Sequence, residues 1–287
     1  MAKQQLKKQS QGKMVWKRLQ KSKTSMLGLI VIVLLVLMAI FADVIAPYDP
    51  AAQDFKSAFQ YPSLEHLMGT DNFGRDIFSR VVYGARVSLF VAAVSVVISF
   101  VGGVTLGVTA AYYGGAYETV VMRVLDAFMS IPTLLCAVSV SAALGTGLIQ
   151  TSVAISVATI PQFARVTRAA VMTVKEAEYV EAARSIGANN ARIMMRHILP
   201  NSLASIFVQT TLSIVNAILI ISMLSFIGLG IQPPTPEWGS MLSYGREYIR
   251  DFWPMVMFPG AMIMITLISF NMLGDGLRDA LDPRLKQ

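Results

Sequence analysis

The chain has 287 residues, of which 54% are hydrophobic and only 14% charged, with a formal net charge of +7. An average soluble domain is about 25% charged, so this chain lacks the polar surface to cover a core of its own size and is excluded from that class. The cationic excess does not read as nucleic-acid binding, because it sits beside long apolar runs, where Lys and Arg fix topology and meet anionic lipid.

Residues 1–24 form a basic tail with eight Lys or Arg (Lys3, Lys7, Lys8, Lys13, Lys17, Arg18, Lys21, Lys23) and no acid. Crossing a bilayer takes about 20 largely apolar residues per helix, and six such runs can be placed. The first, 26–46, has no charge before Asp43. It is too long for the apolar core of a cleaved leader, and Asp43 stands where a small-residue cleavage site is expected. This helix and an external loop make up residues 25–85. Within the loop, residues 68–86 pair Asp71 and Asp76 with Arg75, Arg80 and Arg86. That pattern reads either as a solvated, ion-paired loop or as a rigid platform beside a substrate entrance.

Residues 86–275 read as the membrane core. The second run is 88–112, with Gly103 and Gly107 spaced for close helix packing. The third and fourth share 124–164, with a hairpin at Gly145, Gly147 and Gln150 and one charged residue, Asp126. An ionisable group at membrane depth is functional by default. Asp126 is expected to pair with Arg123, or with an arginine of the polar loop that follows, ahead of service as a proton relay. Pro132 and Pro161 are expected to bend the third and fourth helices, and Asp126 with Pro132 is a candidate gate. The fifth run is 203–229. Gln209, Ser213 and Asn216 share a stripe on it, at i, i+4 and i+7, and either line a pathway or bond between helices. The loop 232–251 carries three prolines, Pro234 and Pro236 among them, and Trp238. It suits external docking of a partner, or anchoring at the interface through Trp238 and Trp253. The sixth run is 252–273, and 276–287 is a tail.

Lys and Arg concentrate on the cytoplasmic side of membrane proteins. Placing the N-terminus inside puts 18 of the 24 cationic residues inside and 6 outside; the reverse orientation inverts that ratio. Both termini and the loop 166–202 are therefore expected in the cytoplasm.

That loop is the most informative stretch. Glu176, Glu178 and Glu181 come first and Arg184, Arg192 and Arg196 follow, an order that complements a helix dipole. Gly187 can take the positive φ that ends one short helix. Asn189 or Asn190 can cap a second, carrying Ile193, Met194, His197 and Ile198. Pro200 is expected to stop that helix before the fifth span. Ala182 and Ala183 give the first helix a small-sided patch that a partner surface can approach closely.

Glu181, Ala182, Ala183, the four-residue step to Gly187, and Ile198, Leu199, Pro200 together resemble the EAA motif of permease subunits of ATP-binding-cassette importers. Further stretches resemble the C-type permeases of dipeptide, oligopeptide and nickel importers: Gly69, Thr70, Asp71; Gly74, Arg75, Asp76; Ser130, Ile131, Pro132; 232–239; and 274–283. The resemblance implies an all-α membrane protein of six transmembrane helices with the type I importer permease fold. It also implies that Glu181, Ala182, Ala183, Gly187, Ile198 and Pro200 couple the chain to an ATPase. Implied partners are a homologous second permease in a heterodimer, two cytoplasmic ATPases carrying ATP and Mg, an extracytoplasmic binding protein and membrane lipid. Nickel and glutathione importers use similar permeases, so the solute stays open.

No Gly-rich phosphate loop ending in Lys-Ser or Lys-Thr occurs. His66 and His197 lie in separate loops without metal-ligand spacing, and Cys136 is a lone cysteine. Neither an enzyme nor a resident cofactor or metal is expected. The alternative reading is a subunit of an ion-gradient-driven secondary transporter, which wants ionisable groups at mid-membrane and paired broken helices.

Overall fold

The computed structural model describes residues 11–281. Lys3, Lys7 and Lys8, and positions 282–287 of the expected tail, lie outside the described residues. Helix α1 (Gln11–Lys21) leads into α2 (Lys23–Ile40), whose N-cap Ser22 accepts from the Ser25 N–H. Arg18 Nη1 donates to Ala280 O at 3.2 Å, so the first helix is tied to the last. A short α3 (Ala42–Ile45) and a loop precede α4 (Ile77–Tyr113), which begins at the Asp76 cap and runs 37 residues. At about 1.5 Å per residue that is roughly 55 Å, well beyond the hydrocarbon. The second span therefore starts eleven residues earlier than its apolar run, and its first turns carry Arg80 and Arg86 clear of that run.

The third expected span is the main departure. It consists of α5 (Gly115–Met129) and α6 (Thr133–Leu144), set at 89° to each other across Ser130–Pro132. Pro132 lacks an N–H and biases the residue before it away from the helical region. The expected bend is thus a full break, and α5 starts nine residues before its apolar run. Next come α7 (Leu148–Lys175) with Pro161 inside it, α8 (Glu178–Ser185), and α9 (Asn190–Ile193). A π-helical turn, Met194–Ile198, joins α9 to α10 (Leu199–Phe226). Pro200 stops nothing. It sits just after the π-helical turn, which carries the chain past it, and the helical run is continuous from Asn190 to Phe226. Last come α11 (Trp238–Gly245), a 3₁₀ turn (Arg246–Tyr248) and α12 (Pro254–Leu281). Positions 276–281, expected to be tail, continue α12.

Among the described residues four helical runs are long and apolar enough to cross a membrane (Lys23–Ile40, Ile77–Tyr113, Asn190–Phe226, Pro254–Leu281), and α5 with α6 makes a fifth if the halves form one span. Helix α7 enters as the sixth on its 28-residue length and its burial rather than on hydropathy. Thr151, Ser152, Ser156, Thr159 and Thr167 are tolerated on it because that face is buried against protein, not lipid. It packs along α4 and against α6 and α10, while α12 bridges α2 and α10. Val91, Val96, Ile155, Phe163, Ile218 and Ile221 fill the centre. Polar pins cross the α4–α7 seam: the Ser99 and Thr159 hydroxyls lie 2.7 Å apart, and Ser156 Oγ donates to Ser95 O at 3.1 Å.

Candidate functional site

The α7–α10 connection is built as the spacing predicts. Helix α8 ends in a Schellman turn: Gly187 has φ +78°, its N–H bonds to Arg184 O at 3.0 Å, and the Ala188 N–H bonds to Ala183 O at 3.1 Å. Asn189 caps α9 by accepting from the Arg192 N–H at 2.8 Å. Beneath the turn, Val180, Ala183, Ile193, Ile198 and Ile206 are buried with Val108 and Tyr112 of α4. The Tyr112 hydroxyl donates to Asn190 Oδ1 at 2.8 Å, and Lys175 Nζ donates to Ala111 O at 2.8 Å. The connection is thus a rigid cap fastened to the ends of α4 and α7.

Its outward face differs from expectation at one alanine. Ala183 is 6% exposed and packs inward, so Ala182 alone presents the small-sided patch. Ile198 is likewise a buried anchor rather than a contact surface. Sequence reasoning missed Tyr179, Ile186 and Met195, of which Ile186 is 85% exposed. The signal was there: Tyr179, Ala182 and Ile186 fall at i, i+3 and i+7, opposite the buried stripe of Val180 and Ala183. The Glu181 carboxylate is exposed and has no partner among the described residues. Ile186 is an exposed aliphatic knob, and Glu181, Arg184, Arg192 and Arg196 of the same connection are exposed too, a mix of apolar and charged side chains that suits a docking surface.

At the opposite end, His66, Asp71, Arg75, Asp76 and Arg80 are buried, so these charged groups do not form a solvated loop, whereas Arg86 stands apart, half-exposed and paired with Asp43 at 2.8 Å. Asp71 Oδ2 accepts from Arg75 Nε at 2.6 Å and lies 3.8 Å from Arg80 Nε. His66 Nδ1 lies 2.9 Å from Asp76 Oδ1. Arg80 Nη1 donates to Pro50 O at 2.7 Å and to Pro234 O at 3.4 Å, clasping three loop segments. The turn at Gly74, with φ +72°, passes directly under Asp54. Outside this buried knot, the Ser57 hydroxyl and then the Lys56 N–H hold the Asp54 carboxyl below its ordinary value. Replacing Asp71 with Ala leaves two buried guanidinium groups without their carboxylate. The expected cost is about 3–5 kcal/mol, read as a lower thermal midpoint of the purified protein.

Trp238 is not available for docking. It is fully buried, and its indole Nε1 donates to Val81 O at 2.9 Å in a slot left open by Gly84. Pro236 is buried too, leaving Pro234 exposed. Glu237, also fully buried, accepts from the N–H groups of Gly239 and Ser240 at 2.8 Å and from the Ser88 hydroxyl at 3.1 Å. The proline-rich loop is therefore fixed onto α4.

Gln209 and Ser213 are 6% and 3% exposed, and Gln209 Nε2 donates to Ser213 Oγ at 3.1 Å; Asn216 is half-buried. Gln209 and Ser213 are packed within the chain, and Gln209 also lines a cavity of about 320 Å³ together with Val166, Ser205 and Arg278. Asp126 pairs with Arg165 of α7 at 2.6 Å, not with Arg123, and both partners are about half exposed. Arg168 and Glu118 pair one level away at 2.5 Å. Among the described residues no cluster of metal-ligating side chains occurs.

Residues 103–287 match the family described as binding-protein-dependent transport system inner membrane component. Residues 10–62 match the N-terminal TM domain of oligopeptide transport permease C. The chain is 45% identical over 271 residues to the dipeptide transport system permease protein DppC of Alkalihalophilus pseudofirmus, covering 94% of this chain and 89% of that one. It is 44% identical over 277 residues to the di/tripeptide transport system permease protein DppC of Pseudomonas aeruginosa, with 94% and 91% covered. Identity to the glutathione transport system permease protein GsiD of Escherichia coli is 42% over 272 residues, with 94% and 90% covered. Among solved structures, the MetNI methionine ABC transporter in an inward-facing form matches with a TM-score of 0.58 at 20% identity, over 71% of this chain and 96% of that one. The fold is that of the ABC importer permeases, and the chain belongs to the binding-protein-dependent transport system inner membrane component family.

Proposed function

We propose that this permease subunit forms half of a pathway for di- or oligopeptides, and that the face around Ile186 seats it on a cytoplasmic ATPase. The coupling role rests on one observation: an exposed aliphatic knob and an unpaired carboxylate sit on a cap that is rigidly fastened to α4 and α7. Force applied to α8 reaches the centre of the bundle through packed side chains and not through a slack loop. The peptide class is supported by relatives named for dipeptides, di/tripeptides and glutathione, all of which carry peptide bonds and free termini.

The assembly includes a homologous second permease, two ATPases and an extracytoplasmic binding protein, with both termini and the α7–α10 cap in the cytoplasm. ATP and Mg are held by the ATPases. Nucleotide binding closes those subunits, draws the two caps together and turns the cavity outward; hydrolysis returns it. The requirement is differential, since ATP shifts the equilibrium only as far as it stabilises one state over the other. The binding protein is received at the platform end. A gradient-driven carrier finds little support, because Asp126 is neutralised by Arg165 rather than standing alone at mid-membrane.

Replacing Ile186 with Asp tests the docking face. The expected result is a large loss of ATPase subunits co-purifying with the permease, on the scale of a central interface residue costing about 2 kcal/mol or more. Full recovery of both ATPases with this variant would count against the role.

A further inference from the structure

A groove of about 380 Å³ opens between the end of α10 and the α11–3₁₀ hook. It adjoins the ion-paired platform, since Tyr244 lines both this groove and the small cleft beside Asp71 and Arg80. Its walls carry one cation, Arg246, and one anion, Glu247, and neither makes an ion pair with any described residue. The Arg246 guanidinium lies 4.6 Å from the centroid of the Phe226 ring. Such a contact holds the group in place while its N–H donors stay open. Gln232 Nε2 donates to Gly228 O at 2.8 Å, which leaves the amide oxygen free.

We propose that the groove is an entry subsite for a small zwitterion with free amino and carboxyl termini, Arg246 receiving the carboxylate and Glu247 the ammonium. The guanidinium fork matches a carboxylate in two parallel bonds. Ligand pockets begin at about 300 Å³, so the volume suits a short peptide. The subsite rests on the peptide reading above and adds to it the place where the solute is first held on leaving its binding protein.

The test uses the whole importer in vesicles, with its binding protein saturated with a tripeptide. R246Q and E247Q each lower tripeptide uptake about tenfold, the scale of one lost charge-assisted hydrogen bond. ATP hydrolysis stimulated by the loaded binding protein stays at the wild-type rate, and R246K recovers part of the uptake. Wild-type uptake in both glutamine variants overturns the subsite and leaves the peptide reading standing. Parallel loss of uptake and stimulated hydrolysis also overturns it, because the residues then serve docking of the binding protein. A wild-type complex that imports no tripeptide removes the peptide reading, and the subsite with it.

Discussion

Gly187→Val is expected to abolish substrate-stimulated ATP hydrolysis in the assembled importer while leaving the subunit folded and inserted. Gly187 sits at φ +78°, and nothing lies within 4 Å of where a Cβ would stand. The added Cβ therefore meets no steric obstacle. The penalty is purely backbone, on the order of 1–3 kcal/mol for a β-branched residue held at positive φ. The cheapest relief is to unwind the Schellman turn. That releases the bonds from the Gly187 and Ala188 N–H groups and swings Ile186, the adjacent residue, off its face. The α4–α7 seam is untouched, so the yield of inserted protein should match wild type. Stimulated hydrolysis at the wild-type rate would contradict the coupling role of the turn.

Gly103→Leu is expected to do the reverse and remove the folded subunit altogether. A Cβ at this position would overlap Phe163 Cβ, and would lie 2.9 Å from Ile160 O and 3.0 Å from Ala164 N. Two of these three neighbours are backbone of α7, which cannot rotate away. Overpacking a core ordinarily costs about 1–3 kcal/mol, and a collision with backbone belongs at or above the top of that range. Separating the helices also breaks the Ser99–Thr159 contact. Size-exclusion chromatography of the detergent-extracted protein should show aggregate in place of a single species. Gly260→Ala is the control, because its nearest neighbour is a flexible Leu242 methyl at 3.5 Å. A monodisperse Gly103→Leu protein would show that the seam is looser than it looks.

Features that depend on local punctuation were legible in the sequence. Gly187 and Asn189 end and start helices by mechanisms contained within a few residues, so the helix–turn–helix of the coupling loop could be placed from spacing alone. Gly103 and Gly107 were legible as a close-packing pair, although not their partner. What failed was burial that depends on distant chain. Asp71, Arg75 and Arg80 present the sign pattern of a solvated loop; their burial comes from 47–57 and the proline-rich loop folding over them. Trp238 stands among prolines, as a loop tryptophan does, and only Gly84, far away in sequence, provides the slot that hides it. Pro200 reads as a stop, yet a π-helical turn just before it carries the chain through. Pro132 was legible as a bend in the third span, but neither hydropathy nor a lone proline registers its size, a break of 89°. Tyr179 and Ile186 lie outside the Glu-Ala-Ala and Gly motif positions, and only the helical period places them on the outward face.

The position of Ile186 against its partner is open to a direct measurement. Cys136 is the chain's sole cysteine, so a Cys136→Ser background with Ile186→Cys gives a single reporter. In the purified complex, a photoactivatable crosslinker attached to this thiol should join position 186 to an ATPase subunit in high yield, and an impermeant thiol reagent added outside intact cells should leave it unlabelled. Labelling from outside, or crosslinking only to lipid or the second permease, would contradict the coupling role.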